Sequence, residues 1–376
     1  MARSDADVAI LGGGCAGLSL GYRLAQGGGL RVHILEPRTL YRDDRAWSFW
    51  RTRPDPFQDL VRARWPQWSV SLPGRPPIHR RSRPLTYDSL AAAPFYTRCC
   101  QTLAAAPAAT LSLGTTAVGA TPLPDGRVRV ETDQGSVTAR YVIDTRPPRR
   151  RPGFGQYFAG REIATSAPMF DRHCATLMAF RGPFRHAVEF VYVLPFAADR
   201  ALVELTWFAA TPPRPGQLDQ RLGAEIDRLT NGYGGETIRR EAGVIPMEPI
   251  FAEHRPGMVA AGLGGGAARP STGYAFQRIQ AWADACAQAL RSDGPPIGAL
   301  PDPAPLRAMD TLFLRVLKRD LSRGPALYTS LFRHAAPGRL ERFLSGSAAW
   351  TDKAAMARAL PKAPFLAEAA RAAAFL

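Results

Sequence analysis

The sequence predicts an α/β fold: a Rossmann-like dinucleotide-binding unit at the start, a β-rich middle, and a helical C-terminal part. Three observations predict it. A glycine-rich turn, Gly12 to Gly17, joins a short apolar strand to a helix. The middle of the chain holds short runs of β-branched and aromatic residues separated by Pro, Gly and Asp. From Pro295 onward a Pro-rich connection gives way to Leu, Met and Ala at helical spacing. A length of 376 residues leaves room for two or three packed units, and 46% apolar with 21% charged residues excludes a disordered chain.

The first unit is specific in its physics. Val8 to Leu11 form a buried strand, and Leu18, Leu20 and Leu24 open the following helix. Between them Gly12, Gly14 and Gly17 stand at G-x-G-x-x-G spacing. Gly12 permits the tight turn, Gly14 lets backbone approach a pyrophosphate, and Gly17 lets helix and strand pack closely. The anion then meets unpaired N–H groups at a helix N-terminus. A second strand, Leu30 to Leu35, ends in Glu36, 19 positions beyond Gly17, where a carboxylate can accept hydrogen bonds from a ribose diol. A 2′-phosphate would be repelled there, which favours FAD or NAD over NADP. The competing reading, a glycine turn without ligand, does not explain the acidic strand end.

Strands are expected at 110–116, 127–132, 175–180, 189–194 and 201–208, and again at 258–261. A helix starts near Tyr274, its apolar face marked by Phe276, Ile279, Ala283, Cys286 and Leu290. After Pro301 to Pro305, Leu306, Met309, Leu312, Leu314 and Leu317 begin the last helices. The tail from Ala354 to Leu376 is expected to pack as ordinary helix, with capping of a cavity or contact with a bilayer as alternatives.

The net charge of +16 comes almost wholly from arginine, with Lys318, Lys353 and Lys362 the lysines. A solvated basic surface explains this better than nucleic-acid binding. Clusters such as Arg80, Arg81, Arg83 and Arg146, Arg149, Arg150, Arg151 would attract anionic lipid headgroups. No stretch reaches the ~20 apolar residues of a spanning helix, and the polar start Met1 to Asp7 lacks a signal-like core. The expectation is a cytoplasmic protein lying on the inner face of the cell membrane. Cys15, Cys99, Cys100, Cys174 and Cys286 form no C-x-x-C pair, and His173, His186 and His254 lack metal-ligand spacing, so no metal is predicted.

Further segments accumulate in order. Pro37 to Tyr41 is followed by Asp43-Asp44-Arg45-Ala46-Trp47-Ser48-Phe49-Trp50. Then come Val142 to Pro147, Phe190 to Pro195, Ala201-Leu202-Val203-Glu204-Leu205-Thr206, Gly243 to Met247, and Gly264-Gly265-Gly266 leading to Pro270-Ser271-Thr272-Gly273-Tyr274. This combination resembles the lycopene cyclase family of carotenoid-synthesis flavoproteins over about three quarters of the chain. The resemblance implies a Rossmann-like FAD domain interrupted by a substrate domain. Its parts would be 1–60 for the first FAD segment, 61–109 for a connecting and substrate-domain segment, and 110–150 for further FAD-domain strands. The β-rich substrate domain would span 151–240, the FAD-domain return 241–295 and a helical cap 296–376.

It also implies an intramolecular lyase (isomerase) that closes a ring at the acyclic end of lycopene without net redox change, using reduced FAD, with NADPH as possible reductant. The partner is a lipophilic polyene. Glu204 would be the acid, and Arg45, Asp144, Gly265, Gly266, Ser271, Thr272 and Gly273 would join Gly12, Gly14, Gly17 and Glu36 around the cofactor. Trp47, Phe49, Trp50, Tyr192 and Trp207 would line the cavity, since aromatic faces attract cations. Burial beside apolar groups would keep Glu204 protonated; a solvent-facing or Arg-paired carboxylate is the alternative. The chain departs from the family pattern at Arg161, Ala179, Leu205 and Glu248-Pro249, leaving one fewer acid in the cavity. An FAD-dependent monooxygenase or reductase is the main rival, weakened because Gly262 precedes Leu263 and Asp144 precedes Thr145 rather than the usual Gly-Asp and Asp-Gly. A diverged cyclase acting on another isoprenoid and a catalytically dead polyene-binding protein are the others.

Overall fold

The computed structural model describes residues 5–148, 150–252 and 255–373; Arg149, His254 and the last three residues of the tail lie outside these. The chain starts with β1 (Ala6–Leu11), α1 (Cys15–Gly27) and β2 (Val32–Glu36), the strand–turn–helix–strand unit expected from the glycines. A Cβ on Gly17 would overlap the carbonyl oxygen of Gly12, so only glycine lets α1 close on the turn.

An aromatic strand β3 (Ala46–Trp50) follows, then β4 (Val61–Trp65), β5 (Gln67–Ser71), β6 (Ile78–Arg81), β7 (Tyr87–Ala91) and α2 (Ala92–Ala104). Next come β8 (Ala109–Leu113), β9 (Ala117–Pro122), β10 (Val128–Thr132) and β11 (Gly135–Asp144). The long strands β12 (Gly155–Ala164), β13 (Cys174–Arg181), β14 (Val188–Ala197) and β15 (Arg200–Ala209) lead to α3 (Gln217–Leu229), β16 (Glu236–Pro246) and β17 (Met258–Ala260). Six helices complete the described chain: α4 (Phe276–Arg291), α5 (Ala304–Arg319), α6 (Gly324–His334), α7 (Arg339–Leu344), α8 (Trp350–Ala359) and α9 (Lys362–Ala373).

The first large sheet runs β8-β2-β1-β11-β10-β9, with β17 also on β11. β1 is parallel to both β2 and β11 and buried along almost its whole length, as a central parallel strand covered on both faces must be. The second large sheet runs β16-β12-β15-β14-β13-β5-β6, antiparallel except where β5 joins β13. A three-stranded sheet, β3-β7-β4, stands apart from both.

The second sheet has two different faces. On its outer side Val203 and Leu205 pack with Leu218, Leu222 and Ile226 of α3. On its inner side Phe190, Leu194, Leu202 and Phe208 join a core with Trp50, Trp68 and Tyr87 and with Phe313, Leu317 and Tyr328 of the C-terminal helices. The tail is ordinary packed helix in part: α9 is tied to α5 through Arg319 and Glu368, 2.7 Å apart, while Leu366 stays exposed. Among the described residues, no helix is long and apolar enough to cross a membrane. Of the basic clusters, Arg80 donates to the Phe332 carbonyl and Arg146 pairs with Asp144, whereas Arg81, Arg83, Arg150 and Arg151 are exposed.

The cap is locked to the rest by one buried ion pair. Arg269 is fully buried, donating from Nε and Nη2 to Asp310 at 2.9 and 2.6 Å and from Nη1 to the Phe343 carbonyl. Arg269→Ala would strand Asp310 and that carbonyl, so a loss of about 3–5 kcal/mol is expected, read as a lower denaturation midpoint.

Candidate active site

The first part of the site is the cleft at the head of α1. Gly14 is its N-cap, with no side chain capping the turn, and a Cβ there would meet nothing within 4 Å. The turn is therefore an open cradle with N–H groups facing outward, which suits a pyrophosphate. Gly12 has φ +96°, and Thr145 donates to its carbonyl at 2.9 Å. Glu36 is buried at the end of β2; it accepts from Gly13 N–H at 2.6 Å and from Arg38 N and Nε at 2.9 and 2.7 Å. Arg38 lies over the rings of Tyr41 and Tyr96. Three of the roughly four acceptor positions of the carboxylate are thus in use, leaving one for a ribose hydroxyl.

The other residues expected beside the cofactor have the following partners. Asp144 ends β11 next to Leu11, but its carboxylate is held by Arg146 at 2.6 and 2.9 Å. Arg45 pairs with Asp44 at 2.8 Å and keeps an exposed guanidinium. The Ser271 hydroxyl donates to Asp310 at 2.9 Å and that of Thr272 to the Leu344 carbonyl at 3.4 Å, so both side chains turn to the cap rather than to the cleft. The glycines of the same turn serve close approach instead. A Cβ on Gly265 would come within 2.6 Å of the Ala260 oxygen and one on Gly273 within 2.7 Å of Gln156, while Gly266 has φ +89°. Gly262 lies against Ala16, which brings the turn to the head of α1.

The second part is a row of side chains across the inner face of the second sheet. Tyr192 pairs with Glu204, Glu204 with Gly160, and Gly160 with Glu241, on four adjacent strands. Glu204 is 9% exposed and accepts from the Thr206 hydroxyl at 2.6 Å. Desolvation, reinforced by the charge of Glu241, pushes its carboxyl up to about 8, against smaller opposing effects of Thr206 and Arg239. Glu241 is raised too, chiefly by burial, but Arg239 Nη1 at 2.5 Å and Ala46 N–H at 2.9 Å support its ionised form. We assign the proton of the pair to Glu204 and the charge to Glu241.

Glu162, two residues along β12, shows the contrast. It is equally buried, yet Arg62, Arg200 and Arg239 surround it, and after the opposing cost of burial they hold it down to about 2. Neighbouring carboxyls are thereby set apart as one acid and one fixed anion. Any step that needs protonated Glu204 should therefore proceed below pH ~8 and fail as pH rises through it, a limb that a rate–pH profile displays.

The aromatic residues divide by the alternation of their strands. Trp47 and Phe49 pack away from the acid, against Phe95 and Phe276. Trp50, on the other face of β3, meets Trp68 and Tyr87, and its Nε1 is buried without a hydrogen bond. Trp207 stands on the opposite face of β15 from Glu204 and donates to Glu189 on the outer side, so it lies outside the chamber. Tyr192 faces inward, its hydroxyl bonded to that of Tyr87, which Tyr274 approaches at 3.5 Å. Tyr87, Trp68 and Glu241 escaped the sequence reading, and Tyr274 entered it only as part of a turn and helix start. Beyond this chamber, past Phe208 and Tyr328, lies an apolar cavity of about 220 Å³ lined by Phe313, Phe343, Leu331, Leu360 and Phe365. Among the described residues, no cluster of His, Cys, Asp or Glu could hold a metal ion.

A family model described as "Lycopene cyclase protein" matches residues 7–370. The curated lycopene beta-cyclase of Pseudescherichia vulneris is 26% identical over 316 residues, covering 78% of this chain and 75% of that protein. Among solved structures, the flavin-dependent brominase Bmp2 superposes with a TM-score of 0.64 at 12% identity, covering 94% of this chain and 98% of its own. Aklavinone-11 hydroxylase, solved with FAD and aklavinone, gives 0.60 at 15% identity over 78% of this chain and 63% of its own. The architecture is that of FAD-binding Rossmann-like flavoproteins with a helical C-terminal part.

Proposed function

The chain belongs to the lycopene cyclase family, and on that premise we propose that it closes the acyclic end of lycopene to a β-ionone ring by an intramolecular, redox-neutral reaction. The observation that carries the reading is Glu204: a buried carboxyl that no cation among the described residues pairs with, its pKa raised by desolvation, on the inner face of an aromatic-walled sheet. An alkene is a very weak base. Only an acid held dry, with negative charge and π-density nearby, can protonate one and tolerate the cation that results.

Glu204 gives its proton to the terminal alkene, and the neighbouring alkene attacks the tertiary cation to form the ring. Tyr192, Tyr87, Tyr274 and Trp50 offer ring faces and phenol oxygens to the positive charge. Loss of a ring proton then sets the final double bond. The cap cavity, smaller than the roughly 300 Å³ at which small-molecule pockets begin, takes only part of a polyene, and its apolar lining supports a lipophilic substrate.

Several observations support FAD as the cofactor: the open cradle at Gly14, Glu36 at the end of β2, and Arg38 beside it fit a dinucleotide. When bound and reduced, FAD supplies an electron-rich surface that stabilises the cation; NADPH is proposed as its reductant. The exposed arginines Arg81, Arg83, Arg150 and Arg151 support a seat on an anionic membrane at the cytoplasmic side, from which a polyene is taken up.

The test is expression in a bacterium that accumulates lycopene. Cyclic carotenes should appear, and purified protein with anaerobically reduced flavin should form the same ring without dioxygen. Pigments that stay acyclic, or a product that needs dioxygen, would refute the reading.

A further inference from the structure

The acid row contains a second carboxylate with an unusual distribution of partners. Glu241 Oε2 is anchored twice, by Ala46 N–H and by Arg239 Nη1. Oε1 accepts no hydrogen bond among the described residues, and it lies over Gly160: a Cβ placed on that glycine would come 3.0 Å from Glu241 Cγ and 3.5 Å from Oε1. Gly160 is also the residue that separates Glu241 from Glu204 in the ladder. With strands about 4.8 Å apart, the two glutamates start from Cα atoms about 10 Å apart, near enough for the charge of Glu241 to act on Glu204, and they share the space over Gly160 with the Leu202 side chain, 3.3 Å from the same Cβ position. Arg239 contributes one more feature: its side chain is 8% exposed and its Nη2 is buried without a partner.

A carboxylate used only as the anion of an ion pair would turn both oxygens to its donors. Among the described residues Glu241 keeps one oxygen free, and that oxygen lies over Gly160, the neighbour of Glu204 in the ladder. The segment that carries Ala46 also carries Asp43, 3.6 Å from Arg239, and Arg45, whose charge acts on Glu241, so this segment is tied to the acid row at several points. The Thr206 hydroxyl occupies Glu204 Oε1, which leaves Glu204 Oε2 for the proton that is given up. One oxygen with a proton to give and one free to receive therefore belong to acids on the two strands that flank Gly160.

We propose that Glu241 is the base of the ring closure: Oε1 receives the ring proton that Glu204 Oε2 has in effect replaced. This rests on the cyclase reading and completes it. The steps balance. The Glu204 O–H bond breaks as a C–H bond forms at the terminal alkene carbon. The ring C–C bond then forms from the second alkene. The C–H bond next to the new cation breaks, its electron pair becomes the ring double bond, and the proton goes to Glu241. Transfer of that proton across the Gly160 gap to Glu204 restores the starting state, with no change in oxidation level.

The experiment compares wild type, Glu241→Gln, Glu241→Asp and Glu204→Gln in deuterium oxide, with lycopene in detergent micelles and anaerobically reduced FAD. Wild type should yield cyclic carotene carrying deuterium at the protonated carbon. In Glu241→Gln, ring formation should fall about 100-fold or more, yet recovered lycopene should gain deuterium, because the acid still works and the cation reverts. Glu241→Asp should regain part of the ring formation, and Glu204→Gln should show neither ring nor exchange. Wild-type turnover by Glu241→Gln overturns the assignment. So does joint loss of ring formation, deuterium exchange and flavin content, which would mark Glu241 as a structural anion. A wild type inert toward lycopene refutes the cyclase reading itself and is separable from both.

Discussion

Glu204→Gln should abolish ring formation, with turnover reduced by about 10³–10⁴-fold, while FAD content and thermal stability stay at wild-type levels. The magnitude is that of removing a positioned general acid. Gln keeps the volume of the side chain and can still accept from Thr206, so the inner face of the sheet is not disturbed. What disappears is the proton. None of the neighbours can replace it: Glu241 is held as an anion by Arg239 and Ala46 N–H, and burial raises the phenols of Tyr87 and Tyr192 well above their ordinary value. Carotene analysis of the variant beside wild type measures the effect, and retained turnover would remove Glu204 from the mechanism.

Gly14→Val should give a folded protein without flavin. The Cβ position at Gly14 is open and φ there is −78°, so valine is sterically acceptable in the protein itself; what it obstructs is the approach of a pyrophosphate to the first turn of α1. Gly17→Ala makes the internal comparison. Its methyl group would overlap the Gly12 carbonyl, so this variant should lose folded protein rather than cofactor alone. Flavin absorbance per mole of folded protein, read together with circular dichroism, separates the two outcomes. Full flavin occupancy in Gly14→Val would show that the cradle is not the phosphate site.

The period of two along β15 puts Glu204, Thr206 and Phe208 on one face and Trp207 on the other, where it binds Glu189 and covers α3 rather than lining the cavity. The aromatic run at β3 divides in the same way, Trp50 toward the acid and Trp47 with Phe49 toward α2 and α4. The family resemblance implies Ser271 and Thr272 near the cofactor. Their hydroxyls belong to the cap because Asp310 and Leu344, far along the chain, come to meet them.

The sequence by itself carried the Rossmann-like α/β class and the family. Strand, glycine turn, helix and acidic strand end act on one another within about 30 residues, and the sterics that require each glycine are local. Only the tertiary structure decided what faces Glu204. Glu241 lies 37 positions later and on a different strand; it becomes a neighbour because β12 is inserted between β15 and β16 in a register that puts Gly160 between the two acids. Register across three strands depends on which faces are buried against which partners, and the electrostatic coupling of two buried carboxyls follows from that placement.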